Sequence, residues 1–251
     1  MASSDSENCL SKGSIQEPPS YNTIAPYAPP VTQPPSAPPP ELDSTQLKGV
    51  PPGLEYLLQI NLLNVKEKFK VSQGYGRSFE VLDSVGQRVY QADEIVQCCG
   101  PIYNTKIRNN NGENIMEVVQ NCECSCTRKV KVFDASGCPI AFVILHWNNL
   151  VTHLSILNST EELVLLIVGP GFHTNIFGNV CFEVKSRDEQ HVVGMIKNES
   201  EQFVVSFPLD LDVMMKAALL VASLYLGNLI HQKRIEVMRK TKGRANHGSS
   251  I

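Results

Sequence analysis

The most uniform stretch of the hydrophobic and polar pattern runs from Leu211 to His231. Lys216 is the one charge between Val213 and Ile230. Eighteen helical residues at ~1.5 Å each, the length of that run, span about 27 Å, close to the hydrocarbon thickness of a bilayer. A helix that is apolar on every side must be buried, in lipid or in protein. Lys216, Ser223 and Gly227 fall on one stripe at helical spacing. The pattern leaves two readings of Val213–Ile230 open: a membrane span, and the central helix of a closed domain.

Between residues 53 and 210 a different pattern recurs. β-Branched or aromatic residues flank short polar turns at residues 79–90, 106–116, 130–144, 154–167 and 182–196. An Asn-Gly turn falls at 111–112 and a Ser-Gly turn at 136–137. Alternation is clearest at Val130 and Val132 and then at Ile140, Phe142 and Ile144. That is the period of a half-buried antiparallel strand. Short strands at this interval predict a mainly β domain, a sandwich or a closed barrel. A barrel has no edges and encloses an apolar interior, which the helix from Val213 could fill.

Residues 1–52 hold twelve of the sixteen prolines. Such a segment cannot offset its ordering entropy, and it reads as a disordered arm of polyproline II character. Pro18-Pro19-Ser20-Tyr21 matches the PPxY pattern that WW domains bind. The later prolines suit PxxP recognition by SH3 domains, or make the arm a spacer.

The net charge of -3 is unevenly spread. From residue 232 to 251, Lys233, Arg234, Arg239, Lys240, Lys242 and Arg244 face one acid, Glu236. Beside an apolar run, this basic tail suits an anionic lipid surface. No apolar run follows a basic start at the amino terminus, so no signal peptide is expected. The eight cysteines should then be reduced. Cys122, Cys124 and Cys126 are spaced by two beside Arg128, Lys129 and Lys131. No paired C-x-x-C or H-x-x-x-H completes a zinc set with them. S-acylation suits them, and Cys98-Cys99 is a second acceptor; the bland alternative is loop thiols. Cys138 and Cys181 read as core residues.

Glu199, Glu201, Gln202 and Asp210 place oxygens at positions one, three, four and twelve of a loop. The spacing resembles a calcium loop, but Val204 stands where an EF-hand has glycine. The alternative is a solvated acidic turn, with Asp210 and Asp212 at the positive end of the next helix. His146 and His153 read as sheet residues. Gly74-Tyr75-Gly76 lacks the strand–helix context of a nucleotide fingerprint. No nucleophile elbow or triad arrangement is present.

Several motifs together resemble the phospholipid scramblase family. They are Pro51-Pro-Gly-Leu-Glu-Tyr-Leu57, Gly86-Gln-Arg-Val-Tyr90, Cys98-Cys-Gly-Pro101, Ile167-Val-Gly-Pro170, Phe182-Glu-Val-Lys-Ser186, Val192-Val-Gly194 and Phe207-Pro-Leu-Asp-Leu-Asp212. The resemblance implies a tubby-like fold, a closed antiparallel β-barrel around the carboxy-terminal helix. It also implies palmitoylated cysteines and a calcium-linked, ATP-independent, bidirectional movement of phospholipids between leaflets, with no covalent catalysis. The chain departs from the family at the thinned cysteine cluster and at Glu199, Glu201 and Gln202-Phe203-Val204. There the family carries aspartates and Asn-Phe-Gly.

The expected division is a proline-rich arm at 1–52, a barrel at 53–210, a helix at 211–231 and a basic tail at 232–251. The expected setting is the cytosolic face of a membrane, the plasma membrane first. The expected partners are phospholipid, WW- or SH3-domain proteins and a second copy of the chain, with no nucleic acid. The alternative function is a membrane-tethered adaptor working through the arm. A basic tail held on the cytosolic side argues against a helix that exports its carboxy terminus.

Overall fold

The computed structural model describes residues 47–68, 76–96, 100–122, 128–146, 150–171, 178–199 and 202–247, the last seven as backbone. The arm, with Pro18, Pro19 and Tyr21, lies outside the described residues. So do Cys98, Cys99, Cys124, Cys126 and Glu201.

Among the described residues, twelve strands form one antiparallel meander. They are β1 (Leu62–Lys68), β2 (Ser78–Leu82), β3 (Arg88–Glu94), β4 (Tyr103–Arg108), β5 (Asn114–Gln120), β6 (Arg128–Asp134), β7 (Pro139–His146), β8 (Val151–Asn158), β9 (Leu163–Pro170), β10 (Val180–Ser186), β11 (Val192–Glu199) and β12 (Gln202–Ser206). Each pairs with its neighbours in sequence, and β1 pairs with β12 to close a barrel. All five hairpins read from the sequence are present.

Four hairpin turns use one device. The side-chain oxygen of Asp83, Asn109, Asp134 or Asn158 accepts hydrogen bonds from the amides two and four residues on, at 2.8–3.0 Å. This is the local bonding that makes Asx residues good turn formers. In three of the turns a glycine at φ 82 supplies the left-handed position.

Strand parity turns apolar side chains inward. Leu63, Val65, Val81, Val118, Val130, Val132, Leu154, Ile156, Ile167 and Val184 are buried, while Lys66, Cys181, Glu183 and Lys197 alternate to the outside. Two expectations need correction. Cys181 is exposed because it shares the outer face of β10 with Glu183, and Cys138 is exposed at the end of its turn. In β7 the inward residues are Ala141, Val143 and Leu145, opposite Val132, Val130 and Arg128. Phe142 and Ile144 belong to the outer face, while Ile140, the extra residue at the β6–β7 register shift, packs with the core. β7 is apolar on both parities, so alternation within it could not choose a face.

The helix α1 (Val213–His247) fills the barrel. Val213 and Ile230 bound the enclosed part, and all but one of the residues between them are buried. The membrane-span reading of Val213, Lys216 and Ile230 is therefore replaced by the barrel-core reading, because the apolar surface is spent on the barrel wall. Asp212 caps the helix, its Oδ1 accepting from the amides of Met214 (2.9 Å) and Met215 (3.2 Å). That satisfies two of the free amides at a helix start. A 3-10 turn, Glu55–Gln59, covers the same end of the barrel, with Leu54 and Leu57 fully buried. Gly53 holds φ 90 there, and a Cβ on it would lie 2.3 Å from Ile115.

The interior includes Tyr90, Tyr103 and Tyr225. The Tyr90 hydroxyl donates to the Gly53 carbonyl at 3.0 Å, and the Tyr103 and Tyr225 rings stand 5.4 Å apart. Burial raises all three hydroxyls, Tyr225 to about 12. The folded state thus keeps protons that the unfolded chain gives up near pH 10. Stability is fully present below pH 10 and falls through the window from 10 to about 12. The loss is about 1.4 kcal/mol per pH unit for each buried tyrosine. Denaturant titrations across that range, read beside tyrosinate absorbance, check this; a flat stability would contradict it.

Candidate functional site

A meander places its connections alternately at two ends. The turns after β2, β4, β6, β8 and β10 lie at the capped end, with the 3-10 turn and the start of α1. The connections after β1, β3, β5, β7, β9 and β11 lie at the other end, where α1 leaves the barrel at His231. Exposed Cys122 follows β5 at this exit end. The connections that carry Cys98-Cys99 and Cys124–Cys126 start and finish there. Beyond His231, α1 continues with Lys233, Arg234, Arg239 and Lys240 on its outer length; Glu236 pairs with Lys233 at 2.8 Å and with Lys240. Topology therefore brings to one end three features that are far apart in sequence: Cys122, the helix exit and the basic run.

The exit is braced by an arginine. Arg77, just before β2, pairs with Glu94 at the end of β3 at 2.6 and 3.1 Å, and donates to the Gly227 carbonyl of α1 at 3.2 Å. Its guanidinium lies 5.1 Å from the Phe79 ring centroid, and Glu67 is 3.8 Å away. Beside this brace, a cleft of about 260 Å³ opens between α1 and the strands β1, β2, β11 and β12, the buried Asn198 of β11 among its lining. Val65, Phe79, Phe203 and Ile230 form its apolar walls; Glu67, His231 and Arg234 lie at its polar side. Burial lowers His231, assisted by Arg77 and Arg234 and opposed by Glu67 and Glu94.

Of the expected calcium residues, the described ones, Glu199, Gln202 and Asp210, do not lie together. Glu199 and Gln202 face each other across the β11–β12 hairpin at the exit end. Asp210 follows β12 at the capped end. The four rises of that strand, ~3.3 Å each, separate the two. Among the described residues, no three His, Cys, Asp or Glu side chains gather in metal-holding geometry. Of the twelve-position loop, Glu199 and Gln202 thus lie together and Asp210 lies apart, while Glu201 is outside the described residues.

Asp210 and Asp212 instead work on Lys216. The Lys216 ammonium is fully buried and donates to the carbonyls of Leu57 (2.8 Å), Ile60 (3.0 Å) and Leu209 (2.7 Å). Burial lowers its pKa, and the two aspartates oppose that shift. The other members of the stripe are also used internally. Ser223 donates to the Leu220 carbonyl at 2.7 Å, and the Gly227 carbonyl accepts from Arg77.

His146 and His153 are direct partners on β7 and β8, with rings 4.9 Å apart and a 2.7 Å contact from His146 Nε2 to Ser155 Oγ. The Arg77–Glu94–Gly227 brace was not anticipated. Its members carry no motif, and only the pairing of β2 with β3 joins the first two.

A closed meander with its own carboxy-terminal helix as core, and with exposed Cys122 and a run of cations at the helix exit, defines the class. The family model described as Scramblase matches residues 43–231, and the chain belongs to that family. The match ends where α1 leaves the barrel. Among curated relatives, phospholipid scramblase 1 of Rattus norvegicus is 31% identical over 248 residues, 87% of this chain and 72% of that protein. Phospholipid scramblase 1 of Homo sapiens is 34% identical over 201 residues, 68% of this chain and 63% of that protein. Phospholipid scramblase 2 of Homo sapiens is 30% identical, covering 78% of this chain and 74% of that protein. A crystal structure of an Arabidopsis thaliana protein aligns over 66% of this chain and 92% of that one, at 12% identity and a TM-score of 0.39.

Proposed function

We propose that this protein moves phospholipids between the leaflets of a membrane, in both directions and without ATP, as a transporter and not as a covalent catalyst. What supports the reading, beside the family, is the gathering of exposed Cys122, the helix exit and the basic run at one end of the barrel. Acyl chains on Cys122 and on Cys98, Cys99, Cys124 and Cys126 would anchor that end. Basic residues add ~1 kcal/mol each near an anionic surface. The cytosolic face of the plasma membrane offers such a surface. Lipid headgroups would follow a polar path while their tails stay in hydrocarbon.

Purified protein reconstituted in liposomes with one labelled leaflet tests this. Label equilibrating between leaflets without nucleotide supports the reading, and unchanged asymmetry removes it. Calcium linkage is part of the proposal, resting on the β11–β12 hairpin with Glu199, Glu201 and Gln202. Asp210→Asn should then leave the calcium dependence of exchange within about twofold of the parent, since a rim charge lost to solvent changes little. A shift of tenfold in the same liposome titration would place Asp210 back among the ligands. The arm is proposed to recruit WW- or SH3-domain proteins through Pro18, Pro19 and Tyr21, and Tyr21→Ala should remove WW partners from pull-downs.

A further inference from the structure

The cleft at the helix exit is kept open by a glycine. In a helix interior Gly227 costs ~1 kcal/mol relative to alanine. A Cβ there would come 3.1 Å from the Phe203 ring and begin to fill the cleft. The floor is fixed: Arg77 spends donors on Glu94 and on the Gly227 carbonyl, and lies over Phe79. The volume of about 260 Å³ is just below the ~300–1,000 Å³ of pockets that bury a drug-sized ligand. That suits one phosphorylated headgroup and the first carbons of a chain, not two acyl chains. The polar side carries both signs. Glu67 stands on β1, while His231 and Arg234 stand on the first turn of α1 outside the barrel. The apolar side is formed by Phe203 and Ile230.

We propose that this cleft binds the headgroup of a zwitterionic phospholipid, its phosphate toward Arg234 and His231, its ammonium toward Glu67, and the start of one chain against Phe203 and Ile230. The assignment rests on the lipid-handling reading and names the place where that reading meets its substrate. The cleft opens at the same end as Cys122 and the basic run, so a bilayer held there would present headgroups to it.

The test is calorimetric binding of monomeric dihexanoyl-phosphatidylcholine to the full chain, with phosphocholine, inorganic phosphate and dihexanoyl-phosphatidic acid as separate arms. Saturable binding of the choline lipid, not displaced by equimolar phosphate, is the expected result. Arg234→Gln should weaken it about tenfold or more, the scale of a lost charge-assisted hydrogen bond. Glu67→Gln should weaken the choline lipid and spare the phosphatidic acid, which has no ammonium. Gly227→Leu should abolish binding of both. Glu67, exposed near the end of β1, and Arg234, on α1 beyond the barrel, are rim positions, so their substitutions remain informative if Gly227→Leu disturbs folding. Phosphate displacing the lipid at equal concentration would mean an anion site only and would overturn the proposal. So would unchanged binding in both rim variants.

Failure here is distinguishable from failure of the transport reading. Leaflet exchange that persists in Arg234→Gln and Glu67→Gln chains lacking lipid binding would contradict the substrate role of the cleft and leave transport standing. Lipid binding in a parent chain that moves no lipid would do the reverse.

Discussion

Lys216→Met lowers the stability of the barrel by about 3 kcal/mol, because three carbonyls lose their donor at once and each unsatisfied buried group costs ~1–3 kcal/mol. The carbonyls of Leu57, Ile60 and Leu209 come from the 3-10 turn, the residue after it and the β12–α1 connection. One ammonium thus ties the amino-terminal cap to the start of the core helix. An opposing effect exists: burial disfavours the charge, as the lowered pKa of Lys216 shows. Removing the charge recovers that penalty. Asp210 and Asp212 reduce it, and three orphaned carbonyls at ~1–3 kcal/mol each make the net change a loss. Urea unfolding of the variant beside the parent measures it. A loss below about 1 kcal/mol, within the range of an ordinary exposed substitution, would show that the cap holds without its lysine.

Gly194→Ala is the second large effect, about 3 kcal/mol by the cost of overpacking a site that cannot give way. A Cβ at Gly194 would stand 2.4 Å from the backbone oxygen of Ser206. That oxygen belongs to β12, which is paired to both β11 and β1, so relief requires moving a strand of a closed barrel. Gly169 is constrained in another way: its Cβ would fall 2.2 Å from the ring of Phe182, which is fully buried. A flexible side chain at either site could turn aside; a backbone oxygen or an enclosed ring cannot. The same urea measurement, with neighbouring Val193→Ala as the control, separates a steric wall from lost packing. Equal losses at 193 and 194 would contradict the clash.

These glycines explain part of why the fold was legible. Gly169 and Gly194 belong to motifs that carried the resemblance, and in each the glycine marks a close approach that closes the barrel. The hairpins were legible because Asx residues and glycines punctuate them at short intervals, and a meander needs no long-range information to find its partners. The helix was legible as apolar on all sides but not as enclosed, since lipid and barrel interior impose the same composition. β7 escaped the reading because both of its faces are apolar. Cys181 was misread although Phe182-Glu183-Val184 already set the outward parity. The arrangement at the exit end was hidden for a different reason. Cys122, Arg77, Gly227 and the basic run share one end only because an even-numbered meander returns every second connection to it. Loop spacing joins Asp210 to Glu199 in the sequence, but a strand of five residues, β12, lies between them.

The account turns on α1 serving as the core of the barrel and leaving it on the side that faces the membrane. Protease added outside sealed vesicles carrying the protein reads this directly, through antibodies to the segment after Gln232 and to the barrel. The account predicts that the two regions share one fate in every molecule, both cut or both protected. A tail protected while the barrel is digested would place the two on opposite sides of the bilayer and contradict it.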